Sequence, residues 1–244
     1  MELSKNKIKL IKSLDQKKQR LKHQLFVAEG KKVVQELLAS SLECVALFIT
    51  KEMELLFENE SYAVVTELEL KKITSLKSPN GVLALFKIPA AQQIKTEGLI
   101  VALDAVNDPG NLGTIIRLCD WFGVEQLVCS ENTVDCFNSK VVQSTMGSLS
   151  RVSIVYLALA EYLQNTDLPI FCADMEGQNV YQSELPSRGV LVMGNEANGV
   201  SEEIENLCTD KIMIPRFGKV QETESLNVAT ATAILLSEFQ RKNV

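Results

Sequence analysis

Polar, Asn- and Gly-rich stretches whose residue types could build a ligand site are spread over the last 150 residues of the chain. They fall in three segments: NDPGNLGTIIR (residues 107–117), VLVMGNEANGVS (190–201) and IMIPRFGKVQETESLNVATATAI (212–234). Each segment carries or follows a short apolar run with the character of a strand, then breaks into a polar turn. Turns at strand ends are what an α/β sheet uses to build one ligand crevice. In the first segment Pro109 and Gly110 make the turn and Asn111 is placed to cap a helix. Arg117 interrupts the apolar stretch of that helix, Leu112, Ile115, Ile116, Leu118, Trp121 and Phe122, which fills a core-facing strip. A guanidinium there is either a snorkelling surface group or one aimed at a phosphate or a reacting hydroxyl. In the second segment Gly194 and Gly199 permit positive φ and a close backbone approach to a ligand. Glu196 stands among amides, which suits a carboxylate that orients its neighbours, and Ser201 is placed to cap the next helix. Taken alone, this segment is also an ordinary strand–helix turn. In the third, Ser225 is an N-cap candidate. The small residues from Ala229 to Ala233 let another backbone pack closely, in an internal crossing or a helix–helix dimer seam.

The elements that must hold these turns alternate strand and helix. Strands are expected at 99–103, 126–129, 151–156, 170–173, 190–193 and 211–214, and helices at 111–122, 139–146, 158–165, 202–207 and 226–241. Continuous apolar strands separated by helices specify a parallel sheet covered on both faces. Residues 1–95 form a separate unit. A short amphipathic helix carries Ile8, Leu10, Ile11 and Leu14 on one face. A basic stretch at 15–23 and a helix in KKVVQELLAS follow, then strands at 44–49, 63–65 and 81–86 with a helix at 67–75. This pattern implies a small α/β sandwich. The boundary falls at 88–98, where Pro89 interrupts any strand, so the expected domains are 1–95 and 98–244.

Charge is distributed unevenly. The whole chain carries −6, yet residues 1–35 hold ten Lys and Arg against Glu2, Asp15 and Glu29. A basic segment on an acidic body is either a phosphate-binding face or a solvated lysine-rich helix surface. The six cysteines show no C-x-x-C pair and His23 is the one histidine, so no metal site is expected. The N-terminus lacks an apolar signal region and no apolar run approaches a spanning helix. The expectation is a cytoplasmic protein with reduced thiols and no membrane partner.

In their order and spacing the three segments resemble the motifs of the SpoU/TrmH family of RNA ribose 2′-O-methyltransferases, part of the SPOUT superfamily. The resemblance covers roughly residues 98–241. Residues 1–95 look like the RNA substrate-binding domain often joined to it, through KLIKSLDQKKQRLKHQLFVAEGKKVV. The resemblance implies an N-terminal ribosomal-protein-like α/β sandwich and a C-terminal parallel-sheet α/β domain with a deep trefoil knot. It implies S-adenosylmethionine held by Gly194, Ile214 and Leu226, with Met193 beside them. It makes Asn111, Arg117, Glu196, Ser225 and Asn227 the polar active-site set. It also implies a homodimer acting on RNA, with ribosomal RNA favoured over transfer RNA. Lys9, Lys12, Lys17, Lys18, Arg20 and Lys22 become RNA contacts whose affinity falls with salt. The stretch from Pro215 to Glu224 looks a few residues longer than the family pattern, with Lys219 or Arg216 as a further RNA contact.

Two rivals stand beside this. A nicotinamide-binding enzyme expects G-x-G-x-x-G after its first strand, where this chain has N-D-P-G-N-L-G. A non-catalytic RNA-binding or ribosome-assembly factor of the same fold would not need the polar set.

Overall fold

A computed structural model describes residues 3–90, 92–218, 220 and 225–241. The chain divides into two compact units, 1–90 with 135–150, and 91–134 with 151–244. The segment 135–150, read from sequence as part of the second domain, packs with the first.

The first unit opens with two helices, α1 (Lys5–Ser13) and α2 (Lys17–His23). The strand β1 (Leu25–Glu29) follows, which is not among the strands expected from the sequence. Then come α3 (Lys31–Leu38), β2 (Cys44–Ile49), β3 (Ala63–Val64), α4 (Glu67–Ile73) and β4 (Val82–Lys87). The four strands order as β1-β4-β2-β3, with β4 antiparallel to both neighbours and β3 parallel to β2. One face of the sheet is closed by Ile11, Leu14, Leu70 and Ile73 from α1, its C-terminal end and α4, packed on Phe48, Leu83 and Leu85. The other face receives Val33, Val34 and Leu37 of α3. Residues 135–150 join it: the Phe137 ring packs, tilted by 39°, 5.0 Å from that of Phe26, and α6 (Ser139–Thr145) lies on β1.

Arg20 departs from expectation. It was placed among the RNA contacts, but it is 3% exposed. Its Nε and Nη2 donate to Asp135 Oδ2 at 2.8 and 2.6 Å, and its Nη1 donates to the carbonyls of Leu14 and Asp15. A guanidinium this buried and this heavily bonded ties α2 to residue 135 and does not face a phosphate. Lys9, Lys12, Lys17, Lys18 and Lys22 are exposed on α1 and α2.

The second unit holds β5 (Leu99–Leu103), α5 (Pro109–Trp121), β6 (Gln126–Ser130), β7 (Ser153–Leu157), α7 (Leu159–Gln164), β8 (Ile170–Asn179), β9 (Gly189–Met193), α8 (Glu202–Glu205), β10 (Asp210–Met213) and α9 (Val228–Gln240). All pairings in its six-stranded sheet, ordered β10-β8-β9-β5-β6-β7, are parallel. Strands β5 and β9 are buried throughout, as a parallel sheet covered on both faces requires. Ile100, Ala102, Val190 and Val192 pack under Leu159, Leu163 and Ile204 of α7 and α8. Helices α5 and α9 pack together and bury Leu112, Ile115, Ile116, Leu235, Leu236 and Phe239. The small residues of α9 thus serve an internal crossing, with Ala229 and Thr232 buried. Among the described residues no helix is long and apolar enough to cross a membrane.

Candidate active site

Because β5 and β9 are neighbours and parallel, the turns that follow them leave the sheet at the same end. The chain runs outward from β5 through β6 to β7, and returns on the far side through β8 and β9. The C-terminal ends of β5 and β9 therefore flank the point where the strand order reverses, which is where an open α/β sheet forms its crevice.

The turn after β5 is capped three residues earlier than expected. Asp108 is the N-cap of α5, its Oδ1 accepting the backbone N–H of Asn111 at 2.8 Å. Asn111 is therefore inside the first turn, and its side chain is released from capping. It donates from Nδ2 to Glu196 Oε1 at 2.6 Å, and its Oδ1 accepts from Asn227 Nδ2 at 2.9 Å. Asn227, not Ser225, caps α9: its Oδ1 accepts from the N–H groups of Ala229 and Thr230 at 3.0 and 3.2 Å. That cap fixes the sense of the chain. Backbone N–H groups can only donate, so Asn227 Oδ1 must face them and its Nδ2 must face Asn111. Asn111 then has only its own NH₂ left for the Glu196 carboxylate. The three segments thus meet in one directed series, Asn227 to Asn111 to Glu196.

The loop that carries Glu196 turns back on itself. Asn195 N–H donates to Gly199 O and Gly199 N–H to Asn195 O, both at 2.9 Å. Gly199 has φ +68°. A Cβ on Gly194 would lie 2.2 Å from the backbone of Gly199 and Val200. The close approach that demands glycine at 194 is therefore to the returning backbone of the same loop. Gly194→Ala is expected to open this turn, at a cost of about 1–3 kcal/mol for an overpacked site. Amide hydrogen exchange at Asn195 and Gly199 reads it: protection there should be lost while that of β9 persists.

Arg117 is exposed and makes no hydrogen bond or ion pair with a described residue. It shares the outer face of α5 with Thr114 and with Trp121, which is 83% exposed. Trp121, expected in the core strip, is turned outward, and the guanidinium lies on the solvent stripe instead of interrupting the core. The inward stripe is sealed: burial pushes the Cys119 thiol up to about 12, so it is inert at neutral pH. Ser225 is exposed and bonds no described residue. Met193 is buried, and its carbonyl accepts from Asp104 N–H at 2.9 Å, which seats the turn after β9. Ile214 is half-buried just beyond β10, and Leu226 is 47% exposed directly before Asn227. Ser201 sits at the N-cap of α8 without a side-chain bond. Lys219 lies outside the described residues.

Several residues that sequence reasoning passed over take part here. Asp104 Oδ2 accepts Ser201 N–H at 2.7 Å. Asn195 Nδ2 donates to Ala105 O at 2.8 Å, and Ser130 Oγ accepts from Ala105 N–H. Ala105 itself has φ +55°, a conformation that costs a non-glycine residue about 1–3 kcal/mol and persists where surroundings over-determine it. The rings of Tyr181, after β8, and Phe217, after β10, stand 6.2 Å apart. An Asp directly after an apolar strand was the available signal for Asp104; nothing local marks the others.

Residues 98–237 match the model of the SpoU rRNA Methylase family, and residues 5–84 that of an MRM3-like substrate binding domain. The chain is 31% identical over 245 residues to the 23S rRNA (guanosine(2553)-2′-O)-methyltransferase RlmP of Bacillus subtilis, covering 97% of both chains. Among solved structures it resembles a TrmH-family protein from Porphyromonas gingivalis, with 37% identity, a TM-score of 0.90, and 99% of this chain and 100% of that one covered. It also resembles an AdoMet-bound rRNA methyltransferase from Sinorhizobium meliloti, with 28% identity, a TM-score of 0.86, and 100% and 97% covered.

Proposed function

Because this chain belongs to the SpoU rRNA methylase family, we propose that it methylates a ribose 2′-hydroxyl in ribosomal RNA, using S-adenosylmethionine. The observation that carries this reading is the meeting of Asn111, Glu196 and Asn227, from three separate strand-end loops, at the helix that bears Arg117, which has no partner among the described residues.

The residues at this end of the sheet suit the methyl donor. Strands β9 and β10 both run parallel to β8, so Gly194 and Ile214 emerge at the same end. Ile214, the half-exposed Leu226 and the Tyr181–Phe217 pair offer apolar faces for an adenosyl group beside the polar set. When bound, S-adenosylmethionine supplies a methyl group on a positively charged sulfur, already activated for transfer. The protein's task is then to align the ribose oxygen, whose proton leaves to solvent at this exposed site, and to stabilise the charge that develops. A guanidinium holds its protons, so Arg117 anchors an RNA phosphate and stabilises the developing alkoxide. Asn111 and Ser225 orient that arginine or the RNA backbone, while Glu196 and Asn227 brace the series.

The exposed Trp121 beside Arg117 on α5 supports a homodimer seated on this face, with the active site near the seam. The protein acts in the cytoplasm, and Lys9, Lys12, Lys17, Lys18 and Lys22 are the phosphate contacts of the first unit. Replacing Lys9, Lys12, Lys18 and Lys22 together by Gln should flatten the slope of log affinity against log salt by about 3, at roughly 0.7 per single-stranded phosphate contact. Filter binding across a salt series checks this.

Methyl transfer from labelled S-adenosylmethionine to unmodified ribosomal RNA, and separately to transfer RNA, tests the function. Label at an alkali-resistant linkage in ribosomal RNA supports the reading. Label in transfer RNA alone moves the substrate, and absence of both label and donor binding returns the chain to a non-catalytic RNA-binding role.

A further inference from the structure

Glu196 is half of the site's central hydrogen bond, yet it stands on a loop whose own hold on the sheet is slender. Residues 195–199 form a turn closed by two backbone bonds. Such a turn pivots as a body unless something fixes it from outside. Two side-chain contacts do so, and both reach across to the residues that follow β5. Asn195 Nδ2 donates to Ala105 O at 2.8 Å, and Asp104 Oδ2 accepts Ser201 N–H at 2.7 Å.

Asn195 does more than tether. Its Oδ1 accepts the N–H groups of Ala197 and Asn198 at 2.9 and 3.3 Å, on the far side of Glu196. One side chain thus ties the loop's tip to the end of β5 and holds the peptide groups that follow the carboxylate. Its target is unusual: Ala105 has φ +55°. Its N–H is taken by Ser130 Oγ, its carbonyl by Asn195. A strained residue bonded at both ends is a fixed post.

We propose that Asn195 is a positioning residue: it clamps the Glu196 loop to Ala105, so that the carboxylate meets the Asn111 amide and keeps the Asn227–Asn111–Glu196 series in register. Asp104 anchors the other end of the same loop. This inference rests on the reading of Glu196 as part of the methyl-transfer site.

Asn195 acts through Glu196, so its removal should affect turnover and not binding. Misplacement of a site group by about 1 Å costs on the order of 100-fold in rate. Asn195→Ala is therefore expected to lower kcat on unmodified ribosomal RNA by roughly that factor, with KM for RNA and the Kd for S-adenosylmethionine within about twofold. Asn195→Asp keeps the acceptor for Ala197 and Asn198 but sets a carboxylate oxygen against the Ala105 carbonyl in place of the donor, so it should show the same loss of kcat with the Kd for S-adenosylmethionine and the RNA KM retained. The decisive measurement is a double-mutant cycle with Glu196→Gln under single-turnover conditions. Groups that act as a unit are non-additive, so Asn195→Ala should add little to the loss already caused by Glu196→Gln. Full additivity overturns the proposal, as does wild-type kcat in Asn195→Ala and Asn195→Asp while Glu196→Gln is impaired; the site reading survives both results. Wild-type kcat in Glu196→Gln overturns the site reading as well.

Discussion

Arg117→Ala should cost methyl transfer at least about 100- to 1,000-fold, the range for deleting one preorganised stabiliser of developing charge, while S-adenosylmethionine binding and thermal stability stay near wild type. The expectation follows from position. The guanidinium is exposed, has no partner among described residues, and projects from the outer face of a helix whose inner face is fully packed. Its deletion opens no cavity and orphans no buried group, the usual routes to destabilisation. Arg117→Lys is expected to recover little, because an ammonium lacks the planar fork that binds a phosphate or alkoxide in two places. Isothermal titration with the methyl donor, beside single-turnover transfer to RNA, separates the two effects. Parallel loss of donor binding and turnover would show that Arg117 holds the fold of the site instead.

How much of this was legible in the sequence depends on how local each cause is. The strands of the parallel sheet are continuous apolar runs, and β2 and β5 keep the bounds their composition implies. The three turns were legible because Gly, Pro and Asn mark them. Caps were harder. Asn111 and Asp108 are both good caps three residues apart, and only the observed bond from Asn111 N–H to Asp108 Oδ1 selects Asp108. That selection matters, since it frees Asn111 for Glu196, 85 residues away. Trp121 illustrates the opposite failure: hydrophobic type suggested the core, but its helical angle matches that of Arg117, one turn earlier on the exposed face. The need for glycine at 194 was visible, its reason was not, because the clash is with backbone five residues on. Arg20 was illegible in principle. Among seven other Lys and Arg residues of the same short segment before β1, it is distinguished only by an aspartate 115 residues distant.

That pairing carries the second large effect. Replacing Arg20 by Met should destabilise the first unit by about 3–5 kcal/mol, the cost of leaving one member of a buried ion pair uncompensated. Asp135 is then left with the N–H of Phe137 at 3.1 Å and no cation, and the carbonyls of Leu14 and Asp15 lose their shared donor. The consequence extends along the chain. Residue 135 opens the segment whose Phe137 ring packs on Phe26 and whose helix α6 lies on β1, so the excursion of 135–150 loses its first anchor. Asp135→Asn should cost less than Arg20→Met, since an amide oxygen still accepts from the guanidinium. The double replacement Arg20→Met with Asp135→Leu should regain part of the stability, because apolar groups of similar volume often replace a buried pair with little net loss. Urea unfolding of the four proteins measures this. RNA affinity compared at equal folded fraction then separates the roles: a phosphate contact would weaken binding in Arg20→Met beyond the loss of folded protein, whereas the buried pair leaves affinity per folded molecule unchanged.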